Sequence, residues 1–218
     1  IIEAALARDQ LHARLEMGGE DNDKLLLHYP TLKPGSGYVR TVVTLEFGAR
    51  ATGEPHQALP VACDMEGHVE DVSFPTARPL VMSVARTFWE KATAAHVYCA
   101  QGRIRGERYA RHWHDLAAIA HSRHGDEVIT DCAVAAAVAE HKAFFFLEKN
   151  VDGFVINYKS AVTGNLRIVP EGAARDALQE DYAAMIGDGM MLGEALAFDQ
   201  LMQVCSDIQE RVNQAAKP

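Results

Sequence analysis

The 218-residue sequence predicts an α+β fold, with short strands within residues 1–82 and a mainly helical part over residues 83–218. Two observations lead to this prediction. Apolar and polar residues alternate from Val39 to Phe47, which is the period of a strand with one buried face. From Ser83 onward, apolar residues recur at helical spacing instead. With 48% hydrophobic residues, the chain has enough apolar side chains to bury a core.

The first part is predicted to open with a helix over residues 1–17, which a Gly-Gly pair ends. Strands follow at residues 24–29 and 39–47. Because a short turn rich in glycine joins these strands, we expect them to pair as neighbours. Residues 49–80 are rich in glycine, proline and acidic side chains, so we expect irregular structure with one short strand near residues 69–74.

Five helices are predicted in the second part from the spacing of its apolar residues. An aspartate or threonine at positions 130 and 131 can cap the third helix. A short extended piece, residues 164–170, precedes the fourth. The apolar residues of the last helix form a stripe that is typical of a packing surface. The helices cover residues 84–99, 107–122, 131–148, 173–186 and 197–214.

The composition excludes several classes of protein. A formal net charge of −9 argues against a surface that binds nucleic acid by bulk electrostatics, although residues 101–112 carry four arginines against one glutamate. The four cysteines lie far apart without a Cys-x-x-Cys motif, so we expect a reducing, cytoplasmic location. The longest apolar runs are too short to span a bilayer, and no membrane role is expected.

Two charged segments are the best candidates for a functional site. Lys91 and Asp115 each stand among bulky apolar residues, as expected where packed helices hold charges at the edge of a cleft. A lysine so placed can bind phosphate as a point charge, or it can lie along the surface with its stem on apolar neighbours. Asp115 follows Arg111 by four positions, so the alternative is an intrahelical ion pair that contributes roughly 0.3–0.5 kcal/mol.

A third candidate is Glu46, on the polar face of its predicted strand. An acid at that position can bind a metal, or it can be an exposed residue that pairs with Arg40 or Arg50. The histidines are weaker candidates as metal ligands because none of their pairs has a third ligand nearby in the sequence.

Seven short segments occur in an order that resembles the nucleotidyltransferase AbiEii/AbiGii toxin family, from about residue 24 to residue 213. Each segment alone is a weakly specific motif, and the resemblance rests on the occurrence of all seven in the same order. The segments are VTLEFGAR (43–50), RTFWEK (86–91), RHWHDLA (111–117), EHK (140–142), GNLRIVP (164–170), DYAAM (181–185) and IQERVN (208–213).

The resemblance implies the C-terminal part of a DNA polymerase β-like nucleotidyltransferase domain, followed by a mainly α-helical domain. It implies the toxin of a bacterial toxin–antitoxin or phage-defence pair, with a cognate antitoxin as partner. Such an enzyme transfers a nucleotide from an NTP to an RNA, with the 3′ end of tRNA as one candidate acceptor. Phosphoryl-type transfer of this kind uses Mg²⁺ held by carboxylates, and cations on the triphosphate.

The resemblance also assigns roles to individual residues. Glu46 becomes a metal-site carboxylate, Lys91 a contact of the NTP phosphates, and Asp115 the acidic residue of the helical domain that activity requires. The substrate-binding residues it implies are Arg50, Arg86, Arg108 and Arg111.

One part of the family pattern has no clear counterpart. Upstream of the position of Glu46, the family has a Gly-Ser turn and an Asp-x-Asp strand that supplies two metal ligands. Asp21 and Asp23 also follow two glycines, but without the serine and within a polar turn. We therefore expect the 218 residues, which begin with Ile1, to lack the catalytic N-terminal half and to be inactive alone. The alternatives are a non-catalytic module that binds an antitoxin or RNA, and a metal-free helical protein.

Overall fold

The computed structural model describes residues 1–19, 23–31, 38, 40–48, 50, 52–102, 108–189, 191 and 193–215. These residues form five short strands, all between positions 14 and 82, and eight helices, seven of which follow position 83. The mixed content of helices and small sheets agrees with the predicted α+β class. The division into two domains after residue 82 stays a prediction.

The N-terminal helix is much shorter than predicted. Helix α1 spans Ile2–Arg8, and strand β1 (Arg14–Gly18) occupies the rest of the expected helix. Gln10 has a positive φ of 53°, a left-handed conformation that a right-handed helix cannot continue through. The prediction of a helix over residues 1–17 is therefore wrong beyond Arg8. Charged and apolar residues alternate within β1, which is the period of a strand.

Strand β1 is the edge of a three-stranded antiparallel sheet. Strand β2 (Lys24–His28) lies in the middle, and strand β3 (Val42–Glu46) forms the other edge. The predicted pairing of β2 with β3 is confirmed, with Lys24 opposite Glu46. The turn expected between them lies outside the described residues.

A second, two-stranded sheet joins the ends of the irregular segment. Strand β4 (His56–Ala58) pairs antiparallel with β5 (Leu80–Met82). The strand expected near residues 69–74 is wrong, because that stretch is turn and irregular structure. Asp71 within it has a left-handed φ of 60°, which a strand does not tolerate.

The five predicted helices are confirmed, with ends shifted by a few residues. Two more helices, α4 and α6, were not predicted because six and five residues are too few to show a helical period. Asp131 caps α5, since its Oδ1 accepts a hydrogen bond from the Val134 N–H at 3.0 Å. The helices are α2 (Val84–Gln101), α3 (Arg111–His121), α4 (Gly125–Thr130), α5 (Cys132–Phe145), α6 (Tyr158–Val162), α7 (Gly172–Gly187) and α8 (Phe198–Ala215).

The core lies among these helices, and two tryptophans fix α2 and α3 within it. Trp89 and Trp113 are 2% and 0% exposed. The indole N–H of Trp89 donates to the carbonyl of Val128 at 3.0 Å, and that of Trp113 donates to Ile168 at 2.6 Å. Both rings thus bury their apolar area without leaving the N–H unpaired. The predicted stripe of α8 is also confirmed, since it buries Leu201, Met202, Cys205, Ile208 and Val212.

Residues 164–170, the extended segment, have their backbone held by side chains of α2 and α8. Gln209 Oε1 accepts from the Ile168 N–H at 2.8 Å. Asn213 accepts from the N–H of Leu166 at 2.8 Å and donates to its carbonyl at 3.0 Å. The side-chain amides thus form the hydrogen bonds with the backbone that a neighbouring strand forms in a β-sheet. The GNLRIVP and IQERVN segments therefore contact each other directly in the fold.

No helix in the described part of the chain is both long enough and apolar enough to cross a membrane.

Candidate active site

The Lys91 ammonium on α2 and the Asp115 carboxylate on α3 form an ion pair of 2.5 Å. Their side chains are 21% and 39% exposed, so the pair lies at the surface of the helical core. The interhelical packing of α2 against α3 brings these positions together. Asp115 was expected either to be an acidic residue that activity requires or to pair with Arg111 within α3. Its ion pair is instead with Lys91, across the two helices.

Next to Lys91 on the same helix, the Glu90 carboxylate bridges two buried cations. Its Oε1 accepts from the Arg86 guanidinium at 2.7 Å, and its Oε2 lies 3.0 Å from the Lys142 ammonium of α5. Arg86 and Lys142 are 4% and 9% exposed. Arg86 also contacts His141 Nδ1 at 3.3 Å. Buried cations require such a partner, because a charge removed from water without compensation is costly.

We call the five residues Arg86, Glu90, Lys91, Asp115 and Lys142 the charged cluster. It contains three cations and two carboxylates, contributed by α2, α3 and α5. The excess of positive charge suits an anionic ligand, and the carboxylates hold the cations in fixed positions until such a ligand arrives.

The pKa of the His112 imidazole is affected by the charges of this region. Burial, together with the positive charges of Lys91, Arg111 and Lys142, lowers the pKa of His112 to about 4, against a smaller opposing effect of Asp115. His112 is therefore neutral at pH 7. Its Nδ1 is buried and has no hydrogen-bond partner among the residues the structure describes.

An open cleft of about 700 Å³ adjoins the charged cluster at Arg86. Its volume falls in the range of small-molecule sites. Helices α2 and α5 form one side of the cleft, and the segment around β4 forms the other. The lining residues are Thr52, Glu54, Pro55, His56, Arg86, Ala137, Glu140, His141 and Phe144.

Of the four arginines predicted to bind substrate, Arg86 alone belongs to the charged cluster as the described residues define it. Arg111 is an exposed residue of α3 whose charge reaches His112. The Arg108 guanidinium lies 5.9 Å from the centre of the Tyr38 ring. Arg50 is exposed and lies 34 positions before the start of α2 at Val84. The basic segment around residues 101–112 is described only in part, because residues 103–107 lie outside the described ranges.

The start of α3 is fixed by Asp181 of α7. Its two carboxylate oxygens accept from the N–H groups of Arg108 and Ala110, each at 2.7 Å. A carboxylate before the first turn of a helix satisfies N–H groups that have no partner in the helix and complements its dipole. Asp181 therefore positions the helix that carries Asp115, and the DYAAM segment gains a structural role.

Glu46 lies apart from the charged cluster. Its side chain is 62% exposed, and its carboxylate lies 3.4 Å from the Lys24 ammonium on the neighbouring strand. The Phe47 N–H donates to the Asp23 carbonyl at 2.8 Å, which extends the β2–β3 pairing by one residue. Side chains alternate along a strand, so Asp23 and Glu46 belong to opposite faces.

The described residues do not by themselves fit a magnesium site. Among them, no group of three or more His, Cys, Asp or Glu side chains is placed to hold a metal ion. Mg²⁺ prefers several oxygen ligands in octahedral geometry, whereas Glu46 is a single carboxylate with a lysine partner. Asp21, the other acidic candidate, lies outside the described residues.

Sequence reasoning missed Lys142 and Glu90 as members of the site, although both fall in or beside quoted segments. A signal for Lys142 was present, because it continues the spacing of Ala135, Val138 and Ala139 on α5, all of which are buried. A lysine in an apolar helical stripe needs an acidic partner. The identity of that partner depends on how α5 packs against α2, which the sequence does not reveal.

Comparisons with known proteins agree with the segments described above. A family model described as nucleotidyl transferase AbiEii toxin, type IV TA system, matches residues 2–204. Curated proteins and solved structures give no significant match. The family match includes the whole of the charged cluster and covers most of the chain. The chain therefore belongs to the AbiEii family of nucleotidyl transferase toxins from type IV toxin–antitoxin systems.

Proposed function

We propose that this protein transfers a nucleotide from an NTP to an RNA acceptor and that the charged cluster binds the triphosphate. The observation that carries the proposal is the 2.5 Å pair of Lys91 with Asp115, set beside two further cations. Triphosphate transfer depends mainly on positioning and on cations that neutralise the phosphate oxygens. The cluster supplies cations of that kind on three packed helices.

Each side chain of the cluster has a distinct role in this proposal. Lys91 and Lys142 act as point charges on the phosphates, and Arg86 offers a planar guanidinium with several N–H donors. Asp115 holds the Lys91 ammonium in the position where a phosphate oxygen can replace or share the carboxylate. Glu90 does the same for Lys142, so the site is organised before the nucleotide binds. Such preorganisation lowers the cost of ordering flexible side chains on binding.

The acceptor is the second part of the proposal. We infer that RNA, with the 3′ end of tRNA as one candidate, approaches along the start of α3. Arg111 is exposed there, and the neighbouring backbone is fixed by Asp181. Arginines at such a position can contact the phosphate backbone and orient the acceptor without reading its sequence.

Mg²⁺ dependence, a cognate antitoxin partner, a role in phage defence and a cytoplasmic location complete the proposal and rest on the family. The described residues offer Glu46 as one carboxylate and not a full ligand set, so no step is assigned to the metal here. The expectation that the 218 residues are inactive alone also stays a prediction. It is tested by comparing this chain with the full-length gene product.

The test is the transfer of radiolabel from each of the four NTPs to bacterial RNA by the full-length gene product, with and without EDTA. Lys91→Ala is expected to lower transfer by about 100-fold or more, as removal of a charge-stabilising group does in other enzymes. Lys159→Ala, at an exposed lysine of α6, serves as the matched control and should transfer normally. Normal transfer by the Lys91 variant would remove this lysine from the site.

The same assay separates the proposal from a non-catalytic binding module. A module of that kind would bind RNA or an antitoxin, yet it would transfer no label from any NTP. It would also give no NTP-dependent rise in melting temperature, because a ligand stabilises only a protein that it binds in the folded state.

A further inference from the structure

A second cavity, of about 550 Å³, lies on another face of α2 from the charged cluster. His96 follows Lys91 by five positions, which places it about 140° around the helix axis. Helices α2, α6 and α8, the extended segment and residues 150–157 line this open cavity. Its volume is that of a nucleotide-sized ligand site.

The polar side chains of this cavity mostly present hydrogen-bond donors. The Oδ1 atoms of Asn150 and Asn157 accept from backbone N–H groups, of Phe154 at 2.9 Å and of Ser160 at 3.0 Å. Gln209 Oε1 accepts from Ile168. Because these amide oxygens are engaged, the NH₂ groups of the three side chains remain to donate to a ligand.

His96 adds a further donor. It is 8% exposed, and its Nδ1 accepts from the Arg167 N–H at 3.1 Å, so the neutral ring carries its proton on Nε2. Burial, together with the charge of Arg167, lowers the pKa of His96 to about 4, which keeps the ring neutral at pH 7. No hydrogen bond from Nε2 to another described residue exists, and His96 lines the cavity.

Arg167 supplies the charge. It is exposed, it lines the cavity, and within the described ranges it forms no ion pair with a carboxylate. No described aspartate, glutamate or lysine lines the cavity. One unpaired guanidinium surrounded by neutral donors, without a carboxylate, is suited to an anion and unsuited to a cation.

We propose that this cavity binds the phosphate group of a nucleotide, with Arg167 as the charged contact and His96 Nε2–H as a neutral donor. The phosphate belongs either to a free mononucleotide or to the 5′ end of an RNA, since both carry the same phosphomonoester. The site is separate from the charged cluster and does not depend on triphosphate binding there.

The experiment is NMR titration of the 218-residue chain carrying Lys91→Ala, which weakens the other site. Adenosine monophosphate, added to millimolar concentration, is expected to shift the His96 Nε2 and Arg167 Nε signals. Arg167→Gln should weaken this binding at least tenfold, which is about 1.4 kcal/mol. Arg123→Gln, at an exposed arginine outside the cavity, should bind as tightly as the parent.

Further ligands identify the source of the phosphate. Binding of adenosine monophosphate but not of a short 5′-phosphorylated RNA supports a free nucleotide, and tight binding of that RNA alone supports an RNA end. Adenosine and the unphosphorylated RNA are the controls. The proposal is overturned by equal binding of adenosine, by equal affinity of the Arg167→Gln variant, or by unshifted His96 and Arg167 signals with every ligand. None of these results affects label transfer, which tests the charged cluster.

Discussion

Lys91 of α2 and Asp115 of α3 form an ion pair of 2.5 Å across two helices, although Lys91 follows Glu90 directly and Asp115 lies four positions after Arg111. Phe88 of α2 and Trp113 of α3 are both fully buried in the core that packs the two helices. The packing therefore fixes the backbone, and the ion pair fixes the orientation of the lysine.

Asp115→Asn should abolish most of the nucleotide transfer of the full-length gene product while changing its free energy of unfolding by less than about 1 kcal/mol. A partly exposed ion pair contributes little to stability, whereas the loss of its carboxylate releases the lysine that binds phosphate. Transfer assays and urea unfolding provide the two measurements. Asp176→Asn, at an exposed position of α7, is the control. A variant with normal transfer would show that the pair is only structural.

Glu90→Gln should be more destabilising than Lys142→Met. The first substitution leaves Arg86 and Lys142 buried without their carboxylate, at a cost of roughly 1–3 kcal/mol given that Glu90 is partly exposed. The second removes one cation and leaves the Arg86–Glu90 pair intact, so its stability should change little. Lys142→Met should nevertheless weaken NTP binding. Equal unfolding free energies for the two variants would contradict the described network.

Acidification should destabilise the folded chain between about pH 6.5 and pH 4. Burial lowers the pKa of His112 and of His96 to about 4 from the ordinary value of 6.5. The unfolded chain therefore binds protons first as the pH falls, and stability is lost through this window. His112→Asn should flatten the pH dependence of the unfolding free energy relative to wild type. The control His121→Asn, at an exposed position, should leave the slope unchanged.

Gln209→Ala should cost roughly 1–3 kcal/mol of stability, because it leaves the buried N–H of Ile168 without an acceptor. The carbonyl of Ile168 accepts the indole N–H of Trp113, so the loss of Gln209 also affects α3, the helix that carries Asp115. Gln203→Ala on the exposed face of α8 provides the comparison and should change stability by less than about 0.5 kcal/mol. Identical melting curves for the two variants would rule out this role of Gln209.

Much of the fold follows from patterns that are local in sequence. Helices α2 and α8 are long and have regular apolar spacing, so their period is unambiguous. The boundary between α1 and β1 cannot be read from a local pattern, because it depends on the left-handed conformation of Gln10 and on the pairing of β1 with β2. Strands β4 and β5 pair across a long excursion, and no local pattern marks such a partnership.

Only part of the candidate site is predictable from the sequence, and its arrangement is not. Lys91 and Asp115 stand out because bulky apolar residues flank them, and the structure brings them together. The pairing of Glu90 with Lys142 depends on the packing of α5 against α2, which no local pattern specifies. Glu46 is a candidate because it lies on the polar face of its strand. The same position also allows an exposed ion pair with Lys24, which is the contact that the structure has.

The charged cluster is expected to bind the triphosphate of an NTP. Calorimetric titration of the full-length gene product with each NTP in Mg²⁺ buffer, repeated for Lys91→Ala and for Lys159→Ala, measures this binding. We expect binding of at least one NTP, a loss of affinity of tenfold or more in Lys91→Ala, which is about 1.4 kcal/mol, and an unchanged affinity in Lys159→Ala. Equal affinities of wild type and Lys91→Ala, or no binding of any NTP, would contradict this expectation.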